Sequence, residues 1–513
     1  MYSVDWTDSP EKNGLDPLGM QATCVRLYQS LVPGISNVTI RLRYYAFYAL
    51  VAREYGKRVG IARVKEWQSF LRRSEALLAL IASREGNVIG VAGTIWASEV
   101  LRDHLDHDLI TFRDSADRGP GERQYLRQAF GAYGAAYGSQ LTVMGVLVES
   151  PEHGLPVPTE DIGEALADLY LQAVGDVSKE YFDIVEKGVV RPIDLDDLIG
   201  LLPNRIINDS EECRSLQKLL MARLRPNGSV NPRANTIRCL LHYARNSEPQ
   251  SIGATGFRWA AYEASLQGTA FDGGPSNDPE TLWKWATYHA ADLLHVAYET
   301  MLRAVLETLR DAPGGRSAAT VASIVAERLI TEATDANADW KTFADTCSAI
   351  SVSELQNLVG DCTSVGGGEA ARLEWTTAYF ALQLVGFLYA MHSHEIERLS
   401  DLFAAEGTAG QTIATELLWL AGRQDQPLQH VVTELIQQKV IDRHIWVAMR
   451  KLNFQRDYTF LFEVDDGLMR FRKMDGPVFT NPRLNTTFTF LRDAKLLDEN
   501  GPTEAAEQYL APS

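Results

Sequence analysis

Apolar side chains recur at spacings of three and four residues along most of the chain, which is the period of an amphipathic helix. Within 60–83, for example, this spacing is kept by Val64, Trp67, Phe70, Leu71, Leu77, Leu78 and Ile81. The same pattern recurs at 160–187, 281–310, 317–333, 369–404, 409–422 and 428–452. The alternation that is typical of strands is confined to 140–149 and to the pair 458–464 and 467–473. The sequence therefore predicts a mainly α protein with small β additions.

Clusters of Gly, Pro, Asp and Ser mark the breaks between the helical stretches, because these residues favour turns. They fall at 115–123, 150–158, 246–256, 271–279, 312–315 and 364–368. A chain of 513 residues is long enough for several hydrophobic cores. We therefore predict a multidomain protein with an N-terminal helical domain, a basic helical domain, a helical bundle and a C-terminal module, at 1–155, 156–275, 276–425 and 426–513.

The C-terminal module has the order of elements that is expected of a winged helix. A helix is predicted at 428–452, a hairpin turns at Asp465-Asp466-Gly467, and a second helix is predicted at 481–496. A short final helix follows within 496–510. Winged-helix-like modules bind DNA in many proteins and dock other proteins in many more, so both roles are open.

One segment occurs twice in nearly the same form: NPRANT at 231–236 returns as NPRLNT at 481–486. Asn is a favourable helix N-cap and Pro suits the first helical position, so both copies are predicted to begin a helix. Arg233 and Arg483 would then lie in the first turn and point outward, beside free backbone N–H groups that can bind a phosphate. An internal duplication and a convenient helix start used twice both explain the repeat.

Charge is distributed unevenly along the chain. The formal net charge of −18 argues against a protein that coats DNA or an anionic membrane with its whole surface. Segment 213–247, however, has seven basic residues and no acidic one, and segment 41–73 has nine basic residues against two acidic ones. The stretch 439–495 is also net basic, with eleven basic residues against seven acidic ones.

Two explanations fit these basic segments. Basic residues interleaved with aromatic ones suit a nucleic-acid groove, where phosphates are neutralised and bases stack. The predicted phosphate contacts are Arg214, Arg223, Arg225, Arg233, Arg238 and Arg483. A second surface would consist of Arg41, Arg43 and the tyrosines that follow them at 44–48. Alternatively, these basic residues pair with the acidic remainder inside the protein or across a subunit interface.

No nucleotide-binding loop, serine-hydrolase elbow or zinc-protease motif is present in the sequence. Three groups of His and acidic residues have the composition of a metal site: His104, His107 and Asp108; then His289, Asp292, His295 and Glu299; then His392, His394, Glu395 and Glu397. Paired helices that carry such residues hold metals in helical bundles. Hydrogen-bonded core histidines and a solvated helix end are the competing explanations, and we predict no cofactor.

The cysteines and the apolar runs of the sequence predict a cytoplasmic location. Five cysteines lie far apart without a C-x-x-C pair, which indicates free thiols in a reducing cytoplasm: Cys24, Cys213, Cys239, Cys347 and Cys362. Residues 1–14 are polar and lack the apolar core of a signal peptide. The longest apolar run, 376–391, is shorter than the roughly 20 residues of a membrane-spanning helix, so we predict a buried core helix and no membrane partner.

The N-terminal block resembles uncharacterised bacterial proteins of multi-gene anti-phage defence loci. The residues that carry this resemblance are GLDPLGM at 14–20 and LVPGISNVTIRLRYYAFY at 31–48. The resemblance implies a bacterial cytosolic protein that works with partner subunits and with DNA, and it brings no catalytic residues.

Together these features favour a non-catalytic subunit that binds nucleic acid and protein partners within a bacterial defence complex. Two alternatives stay open: a metal-dependent helical phosphohydrolase or nuclease, and a pure protein scaffold.

Overall fold

The computed structural model describes residues 16–60, 63–86, 88–118, 123–225, 227–274, 276, 278–331, 337–368, 370–408 and 410–510. Within these residues the chain is mainly helical, as the apolar periodicity predicts. The α-helices are α1 (Gln21–Leu31), α2 (Tyr44–Arg58), α3 (Val64–Glu85), α4 (Thr94–Arg102), α5 (Arg113–Ala116), α6 (Gly138–Val143), α7 (Gly163–Val174), α8 (Val177–Lys187), α9 (Glu211–Leu220), α10 (Pro232–Arg245), α11 (Ala254–Gln267), α12 (Pro279–Arg310), α13 (Ala318–Thr331), α14 (Trp340–Cys347), α15 (Val352–Ser364), α16 (Trp375–His392), α17 (Ile396–Ala405), α18 (Ile413–Ala421), α19 (Leu428–Glu434), α20 (Asp442–Gln455), α21 (Leu484–Asp493) and α22 (Glu504–Leu510).

Tighter and wider helical turns complete the helical part. Turns of 3-10 helix lie at Pro192–Leu201, Pro249–Ser251 and Ser393–Glu395. Turns of π-helix lie at Tyr133–Tyr137 and Leu435–Ile441, and the second of these joins α19 to α20. The helix predicted at 428–452 is therefore continuous through this π turn and extends to Gln455.

The strands are short: β1 (Ile110–Thr111), β2 (Leu147–Glu149), β3 (Pro156–Pro158), β4 (Val189–Val190), β5 (Phe462–Asp465) and β6 (Leu468–Phe471). They form the antiparallel pairs β1–β4, β2–β3 and β5–β6. The last pair is the predicted C-terminal hairpin, and the structure confirms it. Its two turn residues, Asp466 and Gly467, both have positive φ, a turn whose twist matches that of the strands.

The strand predicted at 140–149 is wrong over its first half. Residues 140–143 belong to α6, and only Leu147–Glu149 forms a strand. Gly145, at φ 72°, separates the two elements, because a left-handed residue ends the helix. Parts of three predicted elements lie outside the described residues. They are 61 and 62 of the helix at 60–83, 119–122 of the loop at 115–123, and 332 and 333 of the helix at 317–333. Residues 1–15 also lie outside the described residues.

The described chain forms two compact units, each made of separate stretches. Unit 1 comprises 31–254 and 483–510, and unit 2 comprises 16–30 and 255–482. The division into four domains at about 155, 275 and 425 stays a prediction. The winged-helix-like module also stays a prediction. Its hairpin belongs to unit 2, and its helices α21 and α22 belong to unit 1.

Unit 1 is built around α2 and α3. Helix α2 packs against α7, and α3 packs against α4, α8 and the 3-10 turn at Pro192–Leu201. The buried carboxylate of Glu75 on α3 joins three elements. It accepts hydrogen bonds from the hydroxyl of Tyr48 on α2 at 2.9 Å and from the backbone N–H groups of Ala132 at 2.9 Å and Tyr133 at 2.8 Å.

Unit 2 is built around α12, which is buried along nearly its whole length. The helix begins where the side chain of Asp278 accepts a hydrogen bond from Thr281 N at 3.0 Å, and Pro279 occupies the first helical position. It packs against α13, α15, α16 and α18. Because the helix is buried on all sides, apolar, aromatic and small residues also occur outside the apolar stripe that predicts it at 281–310.

Helix α16 covers the longest apolar run, and its central residues are buried as predicted. Among the described residues, no helix combines the length and the apolar character that crossing a bilayer requires.

The Glu75 carboxyl gives unit 1 a pH-dependent stability that can be measured. Burial raises the pKa of Glu75 to about 7, against hydrogen bonds from Tyr133, Ala132 and Tyr48 that favour its charged form. Because the folded state holds this proton more tightly than the unfolded chain, the stabilisation is complete below about pH 4.5 and is lost as the pH rises through about 7. We expect the free energy of unfolding to fall by about 3 kcal/mol across this range.

Denaturant unfolding at several pH values, followed by circular dichroism, measures this dependence. In Glu75→Gln the pH slope between pH 4.5 and pH 7 should be smaller than in the wild type. Glu99→Gln, which changes a solvent-exposed glutamate of α4, is the matched control and should keep the wild-type slope. An unchanged slope in Glu75→Gln contradicts the prediction.

Candidate functional site

Arg233, the arginine of the first near-repeat, points into unit 1 and is only 3% exposed. Its guanidinium donates hydrogen bonds to three backbone carbonyls: Pro33 O at 2.6 Å, Leu219 O at 2.9 Å and Leu220 O at 3.2 Å. Burial lowers the pKa of Arg233 to about 10. The expectation that this arginine points outward is therefore wrong, because the carbonyls of unit 1 already use all three nitrogens.

The loop 33–35 is bound through three successive carbonyls. Pro33 O accepts from Arg233, Gly34 O accepts from the hydroxyl of Tyr45 at 2.6 Å, and Ile35 O accepts from Arg483. Arg483 is 8% exposed, so the arginine of the second near-repeat is also turned inward. We refer to these contacts as the 33–35 clamp.

Glycine is required within the 33–35 clamp. Gly34 has φ +83°, and a Cβ there would lie 2.6 Å from Cγ of Met144 and 2.9 Å from Nη1 of Arg233. The loop and the guanidinium can approach each other this closely only because position 34 has no side chain.

The two near-repeats begin their helices differently. Asn231 is the N-cap of α10, accepting from Arg233 N at 3.3 Å, and Pro232 is the first helical residue, as predicted. The second copy departs from this prediction, because α21 begins only at Leu484 and its N-cap is Arg483 in the left-handed conformation, at φ 65°. The duplication itself stays a prediction.

Arg41 and Arg43 form ion pairs within unit 1. Arg41 pairs with Asp493 at 2.7 Å, and Arg43 pairs with Glu212 at 2.6 Å, where both side chains are 2% exposed. The tyrosines at 44, 45 and 48 are core residues. Arg41 and Arg43 are thus paired with acidic residues from distant parts of the sequence, and their role as nucleic-acid contacts stays a prediction.

Four predicted phosphate contacts are reached by solvent. Arg214 is exposed and pairs with Glu211 of the same helix, Arg223 is exposed, Arg225 is half-buried, and Arg238 is half-buried with its Nη1 bound to Asn235. Their role as phosphate ligands stays a prediction.

Replacing Arg233 should destabilise unit 1 strongly. Arg233→Ala leaves the carbonyls of Pro33, Leu219 and Leu220 without their donor, and an unpaired buried polar group costs about 1–3 kcal/mol. We expect the free energy of unfolding to fall by about 3 kcal/mol or more. Arg233→Lys should not restore it, since one ammonium cannot reproduce the planar fork of the guanidinium.

Arg223→Ala removes an exposed arginine of the same basic segment and is the matched control. Thermal and denaturant unfolding of the three variants compare the two positions directly. Equal stability of Arg233→Ala and Arg223→Ala would show that the 33–35 clamp contributes little.

The group at His104 is not gathered around a common point. His104 Nδ1 donates to Val100 O at 2.8 Å, and the carboxylate of Asp108 accepts from Leu105 N at 2.7 Å. His107 is exposed. These local contacts belong to a solvated helix end, which is the competing explanation for this group.

The second group, on α12, lies inside a buried polar network of unit 2. Asp292 pairs with Arg258 at 2.5 Å and accepts from Thr480 N at 3.1 Å. Arg258 Nε also donates to Nδ1 of His289 at 3.2 Å, so this nitrogen is an acceptor and His289 is neutral. Burial, together with the positive charge of Arg258, holds the pKa of His289 well below its usual value.

His295 lies between two carboxylates of the same helix. Its Nδ1 is 3.4 Å from Asp292 Oδ1, and its Nε2 is 2.8 Å from Glu299 Oε1. Burial opposes a charged imidazole, but the negative charges of Glu299 and Asp292 outweigh burial and raise the pKa of His295. Burial also opposes the charged form of Asp292, yet Arg258 and His295 keep its pKa below the usual range.

Asp16 joins this network from the start of the described chain. Within the part of the chain that the structure describes, Asp16, His295 and Glu299 are the group whose ligand atoms lie close enough to share an ion, all within 4.8 Å of one another. Sequence reasoning named His295 and Glu299 but missed Asp16. Its only signal was its place in the GLDPLGM block, since no spacing rule connects residue 16 with residue 295.

The third group forms a closed hydrogen-bond network. His392 Nδ1 is 2.6 Å from Glu395 Oε1, and its Nε2 is 2.9 Å from the hydroxyl of Tyr262. Trp283 Nε1 donates to the other carboxylate oxygen of Glu395 at 2.9 Å. His394 and Glu397 are exposed. These bonds use both ring nitrogens of His392, as expected of a hydrogen-bonded core histidine.

An exposed row of aromatic and basic residues follows one face of α20. Trp446, Arg450 and Phe454 are spaced by four residues, so they lie next to one another on the helix surface. Trp446 is 51% exposed and Phe454 is 84% exposed. The guanidinium of Arg450 lies over the ring of Trp446, 4.7 Å from its centroid. We call these three residues the α20 stripe; sequence reasoning counted Arg450 in the basic stretch 439–495 but did not recognise the stripe.

His444 fixes the start of α20 relative to the chain around it. Its Nε2 accepts from Leu461 N at 3.0 Å, just before β5, and its Nδ1 therefore donates to Pro17 O at 3.1 Å. Burial lowers the pKa of His444 to about 4. A neutral histidine thus holds α20, the hairpin strand β5 and the segment before α1 together within unit 2.

No known protein family, curated protein or solved structure matches this chain.

Proposed function

We propose that this protein is a non-catalytic subunit that binds single-stranded nucleic acid through the α20 stripe and acts together with protein partners. The observation that carries the proposal is the arrangement of Trp446, Arg450 and Phe454, two exposed aromatic rings with a cation between them on one helix face. A stacking platform of this kind suits bases that are not paired.

The surroundings of the Arg450 side chain favour nucleic acid as the ligand. Among the described residues no carboxylate lies within ion-pair distance of Arg450, in contrast to Arg41 and Arg43. An arginine that only stacks on a tryptophan keeps its hydrogen-bond donors available for a phosphate. Aromatic faces accept every base, so the binding that we propose has little sequence preference.

Further cations lie close to the α20 stripe in the sequence. Arg456 follows α20 directly and is exposed, and Arg472 on the far side of the hairpin stacks on Tyr458, 4.6 Å from its ring centroid. In this proposal the segment 426–513 is organised like a winged helix, with the hairpin of β5 and β6 as the wing. In unit 1, Arg214, Arg223, Arg225 and Arg238 are proposed as separate phosphate contacts.

The setting that we propose is a multi-subunit bacterial defence complex in the cytoplasm. The support for it is the resemblance of 14–20 and 31–48 to proteins of anti-phage loci. All five cysteines are buried free thiols, which suits a reducing compartment.

Removal of the aromatic rings of Trp446 and Phe454 should weaken the binding of single-stranded nucleic acid. The double variant Trp446→Ala/Phe454→Ala should bind a short single-stranded DNA or RNA roughly tenfold or more weakly, because each base–aromatic stack contributes about 1–3 kcal/mol. Arg450→Ala should lower the slope of log Kd against log salt by about 0.7, the value for one phosphate contact on a single strand. Fluorescence anisotropy with labelled oligonucleotides over a range of salt concentrations measures both effects.

Two exposed residues of unit 1 serve as controls. Ile95→Ala removes an apolar side chain that is 80% exposed, and Arg63→Ala removes an arginine side chain that is 75% exposed. Both should leave affinity and salt slope unchanged. Wild-type affinity in the double variant would place the binding surface elsewhere. The absence of binding to either oligonucleotide at low salt would contradict the nucleic-acid function and leave the α20 stripe as a protein-docking surface.

A further inference from the structure

The ligand atoms of Asp16, His295 and Glu299 converge inside unit 2. His295 and Glu299 are four residues apart on α12 and therefore share one face of the helix, while Asp16 lies in the segment that precedes α1. The three residues are 6%, 0% and 3% exposed. Their ligand atoms lie within 4.8 Å of one another, so small side-chain movements bring all three within reach of one ion.

The imidazole of His295 is oriented as a metal ligand. Its Nδ1 faces the carboxylate of Asp292, which Arg258 and Thr480 N hold in place. Metal-binding histidines commonly direct one ring nitrogen to a carboxylate in this way, and the contact fixes the other nitrogen toward the metal. The nitrogen left over here, Nε2, is the one that faces Glu299.

The two carboxylate oxygens of Glu299 have different neighbours among the described residues. Its Oε2 accepts from Val478 N at 3.2 Å, which fixes the carboxylate. Its Oε1 is buried without a hydrogen-bond partner, although Nε2 of His295 is 2.8 Å away. The two atoms form a close polar contact whose geometry departs from that of a good hydrogen bond. Two ligands of one metal ion can also lie this close, since bonds of about 2.1 Å at the right angles of an octahedral site place the ligand atoms about 3 Å apart.

The surroundings supply a further polar group and an ammonium group. The side-chain amide of Gln21 lies 3.4 Å from Nε2 of His295, and rotation of the amide by half a turn places its oxygen there. The ammonium of Lys451 binds the backbone carbonyl of Asp16 at 3.0 Å. The carboxylates of Asp16 and Glu299 thus face a shared buried space together with the imidazole of His295.

We propose that Asp16, His295 and Glu299 bind one divalent transition-metal ion, such as Zn²⁺ or Mn²⁺, as a structural site of unit 2. One imidazole and two carboxylates are ligands that such ions accept. All three residues are buried, which suits a structural ion that joins the segment 16–20 to α12. Such an ion is not accessible to a substrate in solvent. The site is independent of the nucleic-acid proposal.

Metal content of the full-length protein tests the site first. The protein is stripped with EDTA, incubated with ZnCl₂, MnCl₂ or MgCl₂, desalted and analysed by mass spectrometry of the metal. We expect about one Zn²⁺ or Mn²⁺ ion per chain and a weaker response to Mg²⁺, which prefers sites of oxygen ligands only. Tm should also rise with the concentration of free Zn²⁺ or Mn²⁺ above Kd.

Conservative variants assign the metal to these residues. Asp16→Asn and Glu299→Gln should each weaken metal binding by at least about 10–100-fold, the loss seen when even an indirect partner of a ligand is removed. Asp339→Asn is the matched control, because Asp339 lies in the same unit and caps α14, where it binds Thr342 N. It should bind metal like the wild type. If a variant does not fold, the absorption spectrum of the Co²⁺-loaded wild type reports nitrogen and oxygen ligands directly.

Two results would overturn the proposal. One is a wild-type protein that takes up no stoichiometric Zn²⁺ or Mn²⁺ after stripping, which would leave a protonated His295 between Asp292 and Glu299 as the explanation of the cluster. The other is equal metal binding by wild type, Asp16→Asn and Glu299→Gln.

Discussion

Buried guanidinium groups bound to backbone carbonyls hold unit 1 together. Arg233 has three carbonyl partners and little contact with solvent, and Arg483 binds the same loop two residues further on. Through the 33–35 clamp, α10 and the residue that caps α21 are fixed to the segment that leads into α2. Asp493 at the end of α21 adds a second link, because it accepts from Arg41 and from Leu42 N. Stretches that are far apart in the sequence thus become one core.

Because these arginines bind backbone carbonyls inside unit 1, the density of basic residues along the chain does not by itself indicate a binding surface. Net charge and the density of basic residues along the chain do not distinguish an arginine that binds a ligand from one that binds its own backbone. In unit 1 the most buried arginines serve the fold, and the tyrosines beside Arg41 and Arg43 form the core. Arg450 has no such partner among the described residues, and it stacks on the exposed ring of Trp446.

Local features of the fold could be predicted from the sequence, and contacts across the sequence could not. The hairpin was predictable because Asp466 and Gly467 themselves determine the turn, and α12 was predictable from its apolar period. The inward direction of Arg233 depends on the carbonyl of Pro33, two hundred residues earlier. Asp16 could not be predicted as part of the candidate metal site because it is far from its partners in the sequence. His295 and Glu299 could be predicted because they are four residues apart on one helix.

Ultraviolet cross-linking of the full-length protein to a short single-stranded oligonucleotide, followed by mass spectrometry of the peptides, tests the central claim most directly. Aromatic side chains that stack on bases form the cross-links, so the method reports which rings contact the ligand. The account predicts adducts at Trp446 or Phe454 and none at the buried tyrosines 44, 45 and 48. Adducts confined to 41–73 or 213–247 would contradict it, because they would show that the basic segments themselves form the binding surface.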